Sequence, residues 1–166
     1  AWEITFLEHY QSFGFETGSP EHEGYAAELE ATQTSVKRMR EAGIRVLVGG
    51  DYGLNITPHG TYAKELQYFT DYFGFSHGEA LQAATKHGGE AFMPGGSLGT
   101  LEAGKVADMV IVRGNPLEQI SVLQEVNNIA AVIKDCEIYA GLLDSRSPHT
   151  KHPEELNQLL GASPCN

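Results

Sequence analysis

The stretch from residue 24 to residue 53 restricts the possible folds more than any other part of the chain. Residues 24–42 carry Ala26, Leu29, Val36 and Met39 at helical spacing, with Lys37, Arg38 and Arg40 towards the C-terminal end. Gly43 stands where a left-handed helix cap belongs. Ile44-Arg45-Val46-Leu47-Val48 follows at once, an apolar and mostly β-branched run broken only by Arg45, which is the pattern of a buried parallel strand. The run ends at Gly49-Gly50-Asp51-Tyr52-Gly53. Helix, short turn, buried strand and a glycine-bracketed carboxylate make an α/β unit. In sheets and barrels of that kind, residues at the carboxyl ends of the strands build the active site.

The surrounding segments extend this reading. Trp2, Phe6, Leu7, Tyr10 and Phe13 predict a short amphipathic helix over residues 2–13, and Glu16–Gly24 reads as a loop through Gly18, Ser19 and Pro20. Residues 54–60 form a second loop around Pro58. Helices are then expected at 61–73 (Leu66, Phe69, Tyr72, Phe73) and 77–92 (Ala80, Leu81, Ala84, Phe92). Ser76 with Glu79 three residues on has the spacing of a capping box. After Pro94-Gly95-Gly96 the character changes to short strands at 106–113, 129–134 and 137–140. The expected division is residues 1–93, then 94–143, then a Pro-containing tail at 144–166.

Charge and composition narrow the function classes. Lys and Arg total 11 against 22 Asp and Glu, a formal net charge of −11, and no basic stripe is present to neutralise phosphates, so nucleic acid is not an expected partner. The longest apolar runs, Ile44–Val48 and Met109–Val112, are far too short to cross a bilayer, and no membrane association is expected. Cys136 and Cys165 lie far apart and fit no metal spacing. With no leader segment visible, that cysteine usage leads to the expectation of a reducing compartment, the cytoplasm.

Gly99-Thr100-Leu101-Glu102-Ala103-Gly104-Lys105-Val106-Ala107-Asp108 contains the phosphate-loop spacing of Gly, four residues, Gly-Lys. That chemistry needs a strand before the loop, a helix after it and a Ser or Thr next to the Lys. Here Val106 follows and a strand comes next, so nucleotide binding is set aside.

The same run resembles the C-terminal signature of the metal-dependent amidohydrolase superfamily, through Gly99, Leu101, Gly104, Lys105, Ala107 and Asp108. Upstream, Gly49-Gly50-Asp51 is similar to the Gly-x-Asp that ends the family's last barrel strand. His59-Gly60 lies in the loop beyond it, with Glu65-Leu66 on the next helix, and Glu79-Ala80-Leu81 with Ala83-Ala84-Thr85 resembles a later family helix. His77-Gly78 departs from that pattern. The likeness runs from about residue 25 to 142, nearest the Xaa-Pro dipeptidase-like and imidazolonepropionase-like branch.

The resemblance implies an α/β fold. Residues 1–93 would form the C-terminal part of a (β/α)8 TIM-type barrel with its last strand at 44–51, and 94–143 part of a small β-sandwich. It implies a hydrolase of C–N bonds, peptide-like or cyclic amide, using one or two divalent metal ions, zinc the expected one. Asp51 would be both metal ligand and proton shuttle, since hydrolysis of an amide needs an activated water and a group to move its proton to the leaving nitrogen. Ordinary turn chemistry is the competing reading, because Asp beside Gly is a common turn residue. His59 would face the substrate or, equally, be a loop histidine held beside Pro58; Tyr52 and Asn55 would line the same mouth. The motif glycines, Lys105 and Asp108 would be structural.

The family's His-x-His pair occurs nowhere in these 166 residues, and a closed barrel takes about 250 residues. The chain is therefore expected to be a truncation, one chain of a split enzyme, or a non-catalytic assembly module with no bound metal. An unpaired strand edge and exposed apolar helix faces would favour an oligomer, or a partner supplying the N-terminal barrel portion.

Overall fold

The computed structural model describes residues 2–93 and 95–141. The expected tail at 144–166, with Cys165, lies outside the described residues. Two compact units divide the chain, the first ending at Gly88 and the second beginning at Gly89.

The first unit is helical. α1 (Trp2–His9) runs into a 3-10 turn (Tyr10–Phe13) and is followed by α2 (Pro20–Glu41), α3 (Lys64–Phe73) and α4 (His77–Gln82). A single π-helical turn (Ala83–His87) follows α4 and interrupts what the sequence reads as one helix over 77–92, and α5 (Gly88–Phe92) falls almost wholly in the second unit. α2 begins four residues earlier than its apolar periodicity suggests. Ser19 accepts a hydrogen bond from the His22 backbone N–H at 3.3 Å and Pro20 fills the first turn, where its missing N–H costs nothing. Gly43 takes the left-handed cap at φ +73°.

The core of this unit is Ile4 and Phe6 from α1 packed with Leu66, Tyr68, Phe69 and Phe73 from α3 and Ala80 from α4. Phe6 stacks on Tyr25 of α2 with centroids 3.8 Å apart, and Gln33 Nε2 donates to the Tyr72 carbonyl at 3.0 Å. Arg40 closes the C-terminal end of α3. Its guanidinium donates to the carbonyls of Phe73 (3.1 Å) and Gly74 (2.6 Å), pairs with Glu79 at 2.9 Å and lies 4.1 Å from the centre of the Phe75 ring. Carbonyls left without an intrahelical partner are thereby satisfied. The Ser76–Glu79 capping box is present in both directions.

One expectation is corrected. Residues 44–51 form no strand: they pair with no other strand among the described residues, and Ile44 and Leu47 are 56% and 40% exposed. A strand exists through ladder hydrogen bonds to a neighbour, and among the described residues the first unit offers none beyond the isolated Leu54–Thr57 bridge. The apolar run therefore keeps its sequence character but has no sheet to join.

The second unit holds an antiparallel sheet in the order β1 (Met109–Val112), β2 (Ile129–Lys134), β3 (Glu137–Ala140). Met109 faces Ile133, Val110 faces Val132, and Lys134 faces Glu137 across a two-residue turn. Asp135 and Cys136 fill that turn with φ of 49° and 66°, the two positive values a tight hairpin demands. The Asp108 carboxylate accepts the Asp135 backbone N–H at 3.1 Å and lies 3.7 Å from Lys134 Nζ, tying the start of β1 to the turn. Lys105 bonds Glu102 at 3.1 Å and also Thr100. Its charge is spent locally, within a loop followed by a strand.

Candidate functional site

A cleft of about 510 Å³ opens in the first unit. α1 contributes Trp2, Thr5 and His9, α3 contributes Lys64, Glu65 and Tyr68, and the segment after Gly49 closes it with Asp51, Tyr52 and Asn55. Three of the four residues singled out from the sequence therefore meet at one cavity. His59 is not among the lining residues.

The segment is shaped by a small number of hydrogen bonds. The Gly53 N–H donates to the Thr57 carbonyl at 2.8 Å and the Thr57 N–H returns to the Leu54 carbonyl at 3.1 Å, folding 53–57 back on itself with Asn55 at its tip. A Cβ on Gly50 would stand 2.4 Å from the Tyr52 ring, so glycine here admits the aromatic face against the backbone next to Asp51. A Cβ on Gly49 would meet nothing within 4 Å, so that glycine serves no such purpose. Tyr52 meets Tyr62 edge to face at 4.6 Å between centroids, and its hydroxyl donates to the Tyr62 carbonyl at 3.4 Å. Burial, with the negative field of Glu65 behind it, pushes the Tyr52 phenol up to about 12.

Asp51 is exposed. A carboxylate in contact with water can accept or return a proton at the cleft without first being desolvated. Deeper in the wall, Glu65 is only 5% exposed. Beside it Lys64 Nζ donates to Glu8 Oε2 at 2.5 Å and the Tyr68 hydroxyl donates to the same oxygen at 2.7 Å. Burial alone would lower the Lys64 ammonium, but its hydrogen bonds to Glu8 and Tyr68 carry it above its ordinary value. Burial chiefly raises the Tyr68 phenol.

This cluster escaped the sequence reading because Glu8 and Lys64 are 56 residues apart and nothing local links them. The one signal was Glu65, a charge standing beside Leu66 and Phe69 on the apolar stripe of α3.

Among the described residues no group of three or more His, Cys, Asp or Glu is placed to hold a metal ion. Asp51 is a single carboxylate, and a tetrahedral or octahedral centre needs further ligands that this set does not supply. Among the described residues no helix is long and apolar enough to cross a membrane.

Comparison with known proteins adds to this geometry. The ochratoxinase of Aspergillus niger is 33% identical over 114 residues, 68% of this chain and 22% of its own length. Its crystal structure superposes with a TM-score of 0.68 at 25% identity, over 82% of this chain and 30% of that one. The imidazolonepropionase of Acidiphilium cryptum is 32% identical over 91 residues, 55% of this chain and 23% of its own length. A crystal structure of a Xaa-Pro dipeptidase with bound methionine in the active site gives a TM-score of 0.65 at 29% identity, covering 84% of this chain and 33% of that chain. This chain thus spans under a quarter of the length of these two curated relatives. The amidohydrolase family pattern runs from residue 20 to residue 139, through the Asp51 segment, β1, β2 and all but the last residue of β3, and on that match the chain belongs to the amidohydrolase family.

Proposed function

We propose that this chain forms part of a hydrolase of C–N bonds in small amides or peptide-like molecules, with Asp51 as its proton-transfer group. The observation that carries the reading is an exposed carboxylate at a cleft, directly after Gly49-Gly50, in a chain of the amidohydrolase family. Relatives named ochratoxinase, imidazolonepropionase and Xaa-Pro dipeptidase support an amide substrate. Residues 1–93 are read as the end of a (β/α)8 barrel and 94–143 as part of a β-sandwich.

In this reading Asp51 takes the proton of the attacking water and hands it to the leaving nitrogen, which departs as a neutral amine. Tyr52, fixed against Gly50, and Asn55, at the tip of the 53–57 turn, bound the space the substrate enters. Divalent metal, which the family generally uses, would lower the pKa of the water. Asp51 could give one ligand to one or two such ions, zinc by expectation. The other ligands would come from outside the described residues, from a longer chain or a partner, and an oligomer fits that need.

Replacing Asp51 by Asn in the complete enzyme is expected to lower kcat about 10²–10⁴-fold with the fold intact by circular dichroism. A second reading, a non-catalytic assembly module, draws its support from the donor set, which among the described residues stops at a single carboxylate. Unchanged turnover in Asp51→Asn would select that reading.

A further inference from the structure

Among the described residues one buried side-chain oxygen is met by nothing: Thr57 Oγ1 is shut off from solvent and has no hydrogen-bond partner. Such a hydroxyl is a standing cost to the folded chain and calls for a cause. Thr57 also lines the cleft of about 510 Å³ that holds Asp51, and its neighbours Ile56 and Pro58 line it too. Neither the family motifs nor the proposed proton transfer gives it a role.

The backbone cannot relieve the hydroxyl. The Thr57 carbonyl accepts the Gly53 N–H at 2.8 Å, and the Thr57 N–H donates to the Leu54 carbonyl at 3.1 Å. Pro58 follows directly, which keeps residue 57 in extended conformations. What stays free is χ1. Rotation among its staggered positions exchanges the hydroxyl with the methyl group and moves no backbone atom. The partner must therefore come to the hydroxyl from the side on which Thr57 borders the cleft.

The surroundings select the chemistry of that partner. Ile56 and Pro58 flank Thr57 and carry no charge, and the ammonium of the cleft, Lys64, is already bonded to Glu8. One neutral hydroxyl between apolar residues cannot offset the desolvation of an ion, whereas a carbonyl or an amide N–H costs far less to bring there. A threonine hydroxyl both donates and accepts, so it can serve either end of an amide.

We infer that Thr57 is a specificity-determining residue of the cleft, whose hydroxyl, left unpaired by the fold itself, turns about χ1 to bond an uncharged carbonyl or N–H of the substrate. This rests on the hydrolase reading for the substrate's being an amide, but the unpaired hydroxyl does not. Substrates that present a neutral polar group to Thr57 are favoured over those that present a charge or a methylene there.

Thr57→Val keeps the β-branched shape and removes only the hydroxyl, so stability and binding are expected to respond in opposite senses. In the full 166-residue chain the urea midpoint of Thr57→Val should equal or exceed that of the unsubstituted chain, because a hydroxyl without a partner is lost at no cost. A lower midpoint would show that a protein group or a trapped water already bonds the oxygen, and would overturn the inference whatever the catalytic function is. In the complete enzyme, with uncharged N-acetyl dipeptide amides as substrates, Thr57→Val is expected to raise KM about two- to tenfold, the worth of one neutral hydrogen bond, with kcat little changed. Thr57→Ser, which keeps the hydroxyl, should hold KM near the unsubstituted value. An unmoved KM in Thr57→Val, or an equal rise in Thr57→Ser, would reduce Thr57 to packing and sink the proposal. A lowered midpoint in the complete enzyme with KM unmoved would assign the partner to the rest of the barrel, with the same result. If Asp51→Asn leaves turnover untouched, the hydrolase reading fails by itself. The affinity of the same amides for the complete protein, measured by calorimetry with and without Thr57→Val, then still decides the role of Thr57.

Discussion

A methyl group at Gly50 and a phenol ring at Tyr52 cannot both occupy the space beside Asp51. Gly50→Ala is therefore expected to expel the Tyr52 ring from its place against the backbone, costing about 1–3 kcal/mol in urea unfolding as an overpacked site does. Gly49→Ala, with nothing near its added atom, should cost far less; equal losses would refute the steric account. Tyr52 also gives a pH prediction. Its phenol titrates at about 12 in the folded chain against an ordinary 10.0, so the folded state holds its proton more tightly than the unfolded state does. The resulting stability is complete below pH 10 and is lost as pH rises through about 12. Tyr52→Phe should flatten that part of the stability curve; an unchanged alkaline slope would count against the buried setting of the phenol.

At the scale of elements, the α3–α4 corner depends on side chains more than on propensity, because α4 is only six residues long. Ser76→Ala removes the capping box and is expected to cost about 1 kcal/mol. Arg40→Ala should cost about 1 kcal/mol, since it removes the donor to the part-buried Phe73 carbonyl at the end of α3 and strips the Phe75 face. The backbone N–H of Ser76, then its hydroxyl, then Arg40 hold the Glu79 carboxyl below its ordinary 4.5. A lowered carboxylate contributes stability above its unfolded value and loses it as pH falls, so the contribution should fade below about pH 4.5. Acid titration of Glu79→Gln against the unsubstituted chain reads this: the two curves should converge in acid. These helices were legible because spacing and caps are local: Ser76 with Glu79, Gly43, and Leu66, Phe69 and Phe73 on one face. The start of α2 was not, because Ser19-Pro20 reads equally well as a turn.

For the whole molecule, the Asp51 segment needs more than the described chain provides. Among the described residues no ligand cluster surrounds Asp51, so any zinc held by the isolated 166-residue chain is expected to be unaffected by Asp51→Asn, whereas an assembly with the remaining ligands should hold one or two ions by native mass spectrometry. A zinc on the isolated chain that is lost in Asp51→Asn would overturn this account of the site. Sequence alone determined the local and near-local features. The family motifs, the helix faces and the two strands at 129–134 and 137–140 are all set by neighbours within a few residues. Tertiary structure decided the rest. The run 44–48 has a strand's composition but needs a partner's backbone to become one. Glu8 meets Lys64 across 56 residues, and Tyr52 meets Tyr62 across ten with the 53–57 turn folded back between them. Periodicity records what a residue prefers to bury; it carries no record of which distant atom will stand opposite.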